Sequence, residues 1–117
     1  MRIRERRAGN VVVLDLESPE SGDYSTGLFV PQISDLLEAG DKHIVLNMSG
    51  LRWINSSSLG ALLGARRKVE EVGGSIVLAA PTPRVSGIMR VVGMFQIWKV
   101  YDSEEEAVRS FHREAAG

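Results

Sequence analysis

The sequence predicts an α/β fold: a mixed sheet of about five strands with helices packed against it, in the order β-β-α-β-α-β-α-β-α. Three observations carry this expectation. Short apolar runs alternate with longer segments whose apolar residues recur at three- and four-residue spacing. A polar turn, Gly9-Asn10, divides the first two runs and opens the chain with a hairpin. The later runs, from His43 onward, are apolar along most of their length, as strands are when a sheet is well covered. At 117 residues the chain fits one compact domain, 1–117, with a core of its own.

Arg2, Arg4 and Arg6 alternate with Ile3 and Glu5, the pattern of a strand with one wet face. Val11 to Leu16 is the second strand, and residues 17–25 (ESPESGDYS) form a loop of turn-favouring residues. Phe29, Ile33, Leu36 and Leu37 predict a helix stopped at Gly40, with Pro31 tolerable only near its start. His43 to Asn47 is a short buried strand, and Ser49 to Ser58 (SGLRWINSSS) a connection. A second helix begins near Ser57. Leu59, Leu62, Ala65, Val69 and Val72 form its apolar face, and Gly73-Gly74 ends it. Ile76 to Ala80 is the next strand. Thr82 is placed to cap a helix whose first residue is Pro83, with Val85, Ile88, Met89 and Val92 on one side and Gly93 at its end. Ile97 to Tyr101 is the last strand. Ser103 and Glu106 make a capping box for a final helix with Ala107, Val108, Phe111 and Ala115 on its apolar face.

Composition narrows the functional classes. Hydrophobic residues at 44% and charged ones at 25% suit a globular chain rather than a disordered one. The 14 Lys+Arg against 15 Asp+Glu leave a formal charge of -1, which argues against direct nucleic-acid binding. Arg2, Arg4, Arg6 and Arg7 lack interleaved aromatics and read as a solvated strand face. Without cysteine there is no disulfide, thiolate nucleophile or Cys-based zinc site, which is compatible with a cytoplasmic location. No apolar run approaches the roughly 20 residues of a membrane span, and the opening Met1–Arg7 is too charged for a secretory signal, so no membrane partner is expected.

Enzymatic chemistry finds no support, and no cofactor is expected. His43 and His112 are far apart in sequence and read as a strand-start and a helix-surface histidine. Gly60-Ala-Leu-Leu-Gly64 lacks the spacing and Lys-Ser/Thr ending of a phosphate loop, and its glycines suit close helix packing. No G-x-S-x-G elbow is present. A carboxylate pair would need Glu17 or Asp23 brought to Asp41, and Glu104–Glu106 is explained as acid in the first turn of a helix.

Asn55-Ser56-Ser57-Ser58 is the most informative segment, because it stands at the positive end of an apolar helix. Two readings are open. One is capping alone, with a side-chain oxygen accepting a backbone N–H. The other is a phosphoacceptor serine. A phosphate would add about -1.5 to -2 charges where the helix tolerates them, but a partner pressed there would meet a buried dianion.

The stretch His43-Ile-Val-Leu-Asn-Met-Ser-Gly-Leu-Arg-Trp-Ile-Asn-Ser-Ser-Ser-Leu-Gly60 resembles the signature of STAS domains, in particular bacterial anti-sigma factor antagonists. In that pattern a hydrophobic strand and short connection lead to Asp-Ser-Ser/Thr-Gly-Leu-Gly opening a helix. The likeness continues through Gly73–Leu78, Pro83–Val92 and Val92–Ile97, and covers about residues 41–111. The resemblance implies a STAS-type fold and a cytoplasmic partner switch that regulates sigma-factor-dependent transcription. Its implied partners are an anti-sigma factor with Ser/Thr kinase activity and a Ser/Thr phosphatase. The antagonist binds the anti-sigma factor, is phosphorylated and is released, and the phosphatase resets it. The phosphorylated serine falls on Ser56, the preceding Asp on Asn55, the next Ser/Thr on Ser57 and the glycines on Ser58 and Gly60. Asn55 and Ser58 depart from the pattern, and residues 17–25 replace the family's Gly-x-Leu/Ile-Asp turn. Asn55, Ser57, Ser58 and Gly60 are the expected partner contacts, together with Met94 and Phe95 as an exposed apolar patch near the switch loop. Leu63 and Trp53 could lie under a partner or in the core, and Arg66 and Arg67 read as the solvated helix face. The alternative is a scaffold or adaptor STAS domain without serine chemistry, in a stressosome-like or lipid-transport complex.

Overall fold

A computed structural model of the chain describes residues 1–19 and 27–116, with side chains as far as His112. Five strands, β1 (Arg2–Ala8), β2 (Val11–Glu17), β3 (His43–Gly50), β4 (Ser75–Ala79) and β5 (Val100–Tyr101), form one sheet in the order β1-β2-β3-β4-β5. β1 is antiparallel to β2, and the remaining neighbours are parallel. The helices are α1 (Phe29–Glu38), α2 (Ser56–Glu71), α3 (Pro83–Val91) and α4 (Glu104–Ala116). The mixed α/β class and the element order are those the sequence predicts.

Side chains alternate across each strand, so every strand serves both faces of the sheet. Val12, Leu14, Ile44, Leu46 and Leu78 turn to one face and pack with Phe29 and Ile33 of α1, Leu62 and Val69 of α2, and Val85 and Met89 of α3. Val11, Val13, Val45 and Val77 turn to the other, where Ala107 and Phe111 of α4 cover them. Among the described residues a single helix, α4, covers part of that second face. Beyond it, the same alternation places Asp15 and Glu17 of β2 and Asn47 and Ser49 of β3 on that face, Asp15 nearly buried among its partners.

Local chemistry explains the boundaries. Gly9 turns the β1–β2 hairpin at φ +65, left-handed backbone that glycine adopts without steric cost. Pro31 lies in the first turn of α1, where its missing N–H costs nothing. Thr82 Oγ1 accepts from the Val85 N–H at 3.2 Å, and Ser103 Oγ accepts from the Glu106 N–H at 3.2 Å, so both expected caps form.

Two strands differ from expectation. β3 continues past Asn47 to Gly50: the register shifts there, β3 advancing three residues while β2 advances two, so that Glu17 pairs with Gly50. A Cβ on Gly50 would stand 2.9 Å from Glu17 Cγ and 3.0 Å from the Leu16 carbonyl oxygen, so glycine is needed for that approach. β5 is only Val100–Tyr101 rather than Ile97 to Tyr101. The Ile97 and Trp98 N–H groups donate to the Met94 carbonyl at 3.1 and 2.9 Å, closing a 3₁₀ turn over Met94–Gln96 instead of joining a ladder. Val72, placed on the buried face of α2 by its spacing, is 44% exposed at the helix end. Residues 20–25 of the predicted loop, Asp23 among them, and the Ala115 side chain lie outside the described residues.

Candidate functional site

Parallel pairing of β3 and β4 requires a crossover, and α2 supplies it, so its N-terminus stands beyond the carboxyl end of β3. Asn55 is the N-cap, with extended backbone (φ -127, ψ -176), and its Oδ1 accepts from the Ser58 N–H at 2.9 Å. A backbone N–H can only donate, so this bond fixes which end of the amide faces the helix. Ser58 Oγ donates to the same oxygen at 3.1 Å. Ser56 and Ser57 are the first two helical residues, and both are exposed. The first turn of α2 contains no acidic residue.

Ser56, Gly60, Leu63 and Arg67 follow at i, i+4, i+7 and i+11, and all four are exposed. They therefore form one outward stripe along α2. A Cβ built on Gly60 would meet nothing within 4 Å, so open space lies over the helix there. Leu63 is 46% exposed, which settles its side of the helix as the outer one. Gly64 fits the packing expectation better than Gly60, because a Cβ there would touch Val30 of α1 at 3.4 Å.

Two expected contacts need correction. Ser58 is 6% exposed and turned inward by its bond to Asn55, so its side chain is not on the surface. Met94 is 4% exposed and packs in the core, because the 3₁₀ turn folds it under the sheet's helix-covered face. Phe95 is exposed at 41%, with the Arg90 guanidinium 5.5 Å above its ring. The turn carrying Met94 and Phe95 leads to Trp98, which lies under Arg66 at 5.7 Å. Arg66 is about 15 Å along the helix axis from Ser56. Trp53 is half-buried.

A polar cluster escaped sequence reasoning. The Arg6 guanidinium binds Asp15 in bidentate fashion, with Nε and Nη2 each 2.7 Å from a carboxylate oxygen, and also binds Glu104 at the start of α4. Asn47 Nδ2 donates to Glu104 at 2.9 Å, and Asn47 Oδ1 accepts from the Ser49 hydroxyl at 2.7 Å. The hydrogen bonds from Arg6 hold both carboxyls below the usual carboxylate range, against the upward push of burial. The same bonds raise Arg6 above its ordinary value. The signal was Asp15 itself, a lone acid in an apolar strand.

The other singled-out groups lie apart. Arg7 binds Asp41 through two bonds of 2.8 Å, and that pairing lowers the Asp41 carboxyl. Glu17 pairs with Arg2 at 3.5 Å, at the opposite end of the strands from Asp41. His43 stacks on Phe111 at 4.8 Å, and His112 is exposed on α4.

The model of the STAS domain family matches residues 2–107. An anti-sigma F factor antagonist of Paenibacillus polymyxa is 33% identical over 67 residues, 57% of either chain. A candidate anti-sigma factor antagonist of Thermotoga neapolitana is 31% identical over 98 residues, 83% of this chain and 87% of that one. Among solved structures, the unphosphorylated anti-sigma factor antagonist SpoIIAA superposes with a TM-score of 0.77 at 22% identity, over 95% of this chain and 96% of its own. The Bacillus cell fate determinant SpoIIAA in its phosphorylated form gives 0.69 at 24% identity, over 94% and 99%. These structural likenesses are likenesses of fold.

Proposed function

Because the chain belongs to the STAS domain family, among the anti-sigma factor antagonists, we propose that residues 1–117 act as one domain that binds a kinase-type anti-sigma factor and is released by phosphorylation of Ser56. The observation that supports this most directly is the exposed Ser56 at the first position of α2, on a stripe that also exposes Gly60 and Leu63. The anti-sigma factor lies along that stripe, close to the backbone at Gly60 and against the apolar side chain of Leu63. Ser57 flanks the contact. Asn55, itself exposed, borders the contact and holds the helix end in place.

The energetics favour release without unfolding. A phosphate on Ser56 adds about -1.5 to -2 charges. At the N-terminus of a helix such charge is favourable by about 0.3–1 kcal/mol. No carboxylate in the first turn opposes it. Asn55, standing where the family has an aspartate, is neutral and so lowers the electrostatic cost of the phosphorylated state. In the complex the same dianion would be stripped of water, which costs several kcal/mol unless a partner cation replaces it. A Ser/Thr phosphatase restores binding. Sigma-factor-dependent transcription in the cytoplasm is the process served. No described helix is long and apolar enough to cross a membrane.

Incubation with Ser/Thr-kinase anti-sigma factors and ATP, followed by peptide mass spectrometry, tests the reading. The expected result is one phosphate, on Ser56. Ser56→Asp is expected to weaken binding to the anti-sigma factor at least tenfold with an unchanged circular dichroism spectrum. Ser56→Ala is expected to bind but to escape release. An unmodified Ser56, together with wild-type binding by Ser56→Asp, would replace this reading with that of a scaffold domain.

A further inference from the structure

β1 forms one edge of the sheet, seven residues long, and among the described residues no strand pairs with its outer side. An unpaired edge of that length offers a row of main-chain donors and acceptors to another strand. Its side chains define which strand. Arg2, Arg4 and Arg6 turn to the face that α4 leaves partly open. On their inner side, Arg2 stands opposite Glu17 and Arg4 opposite Asp15. β2 thus presents acid, apolar, acid (Asp15-Leu16-Glu17) to Arg4-Ile3-Arg2. The outer side has no such row.

The arginines differ in how firmly they are held. Arg6 is engaged by two carboxylates at short range. Arg4 reaches Asp15 at 3.4 Å with its side chain 70% exposed, and Arg2 reaches Glu17 at 3.5 Å with its side chain 66% exposed. Each guanidinium has five donors, so one long contact leaves most of them to water. An open cavity of about 520 Å³ lies over this face of β1, β2 and β3, so Arg2 and Arg4 border open space and are not packed in place.

A second copy of the chain fits this edge poorly. In an antiparallel pairing about a two-fold axis normal to the sheet, residues that oppose each other must share a face. In the registers that pair five or more residues of β1, Arg4 opposes Arg6 and Glu5 opposes Glu5, or Arg4 opposes Arg4, or Arg6 opposes Arg6, and like charges directly opposite are destabilising. We propose that the free edge of β1 takes up an extended acidic segment of a protein partner as a sixth strand, with carboxylates at alternate positions facing Arg2 and Arg4. Main-chain pairing supplies the affinity and the alternating acids supply the selection.

A blocked synthetic peptide of alternating Glu and Val, titrated into the ¹⁵N-labelled protein, tests this. Shifts and slowed amide exchange are expected along residues 2–8. A Lys-Val peptide should not bind. A Glu-Val peptide interrupted by proline should bind at least tenfold more weakly. The Arg2→Glu/Arg4→Glu variant should lose the Glu-Val peptide and gain the Lys-Val one, a reversal that an unfolded chain cannot show. Ser56→Asp should leave this binding unchanged, which separates the inference from the serine switch. It is overturned by equal binding of the proline-interrupted peptide, by shifts away from β1, by no shifts at millimolar peptide, or by protection of β1 in a self-associated protein without peptide.

Discussion

Asn55 and Ser58 act as one unit. The amide oxygen of Asn55 takes both the N–H and the hydroxyl of Ser58, so the two departures from the family pattern support each other. Asn55→Ala removes the acceptor for both and should lower stability by about 1 kcal/mol in urea unfolding. Asn55→Asp keeps the cap and adds a favourable charge at the helix end, so it should preserve or slightly raise stability. It should also disfavour the Ser56-phosphorylated form, read as faster dephosphorylation or a lower phosphorylated fraction at equilibrium. At this scale the sequence reveals residue identity but not side-chain direction. It starts the helix near Ser57, and α2 begins one residue earlier, at Ser56. It could not show that Ser58 turns inward, since that depends on a bond made only once Asn55 is in extended backbone. Nor could it decide Met94, whose burial follows from a 3₁₀ turn that leaves no clear periodicity.

Helices announced themselves through caps and three- and four-residue spacing, so four of them were legible nearly to their ends. Strand ends were less so, because a strand ends where its neighbour stops pairing. β3 is longer because it bulges by one residue after Asn47 and then resumes pairing with Glu17, and β5 is shorter because the preceding turn consumes the N–H groups of Ile97 and Trp98. Two glycines separate packing from openness. Gly50→Ala would force a Cβ against the Leu16 carbonyl, which cannot move without breaking the sheet, and should cost about 1–3 kcal/mol. Gly60→Ala meets open space inside a helix and should stabilise the fold by up to about 1 kcal/mol. The same added methyl intrudes on the proposed docking stripe, so affinity for the anti-sigma factor should fall while the melting temperature rises. Opposite movement of these two readouts is the signature to look for. A parallel loss of stability would mean that Gly60 is packed.

Across the whole molecule, the cluster around Arg6 fastens the beginning of the chain to its end, through Asp15 on β2, Glu104 on α4 and Asn47 on β3. Among the described residues α4 is the one helix on its face of the sheet, and this polar anchor and the contacts of Phe111 hold it there. A formal charge of -1 conveys nothing of such pairing, which is why it was not legible from composition. The pH dependence follows from the direction of the shifts. Asp15, Glu104 and Asp41 have carboxyls lowered in the folded state, chiefly by arginine hydrogen bonds. Their stabilisation is therefore complete above the unfolded values of roughly 4 and is lost as pH falls through the lower folded values. Stability should be nearly level from pH 7 to about 5 and decline below that. Arg6→Gln removes the donor shared by Asp15 and Glu104. At pH 7 it should cost about 1–2 kcal/mol, modest because the Arg6 side chain is itself 41% exposed. The gap between variant and wild type should close as the carboxyls protonate, so the two curves converge as the pH falls. Urea unfolding at stepped pH values reads this directly. Parallel curves with a constant gap would show that Arg6 contributes through the packing of its stem and not through its charge.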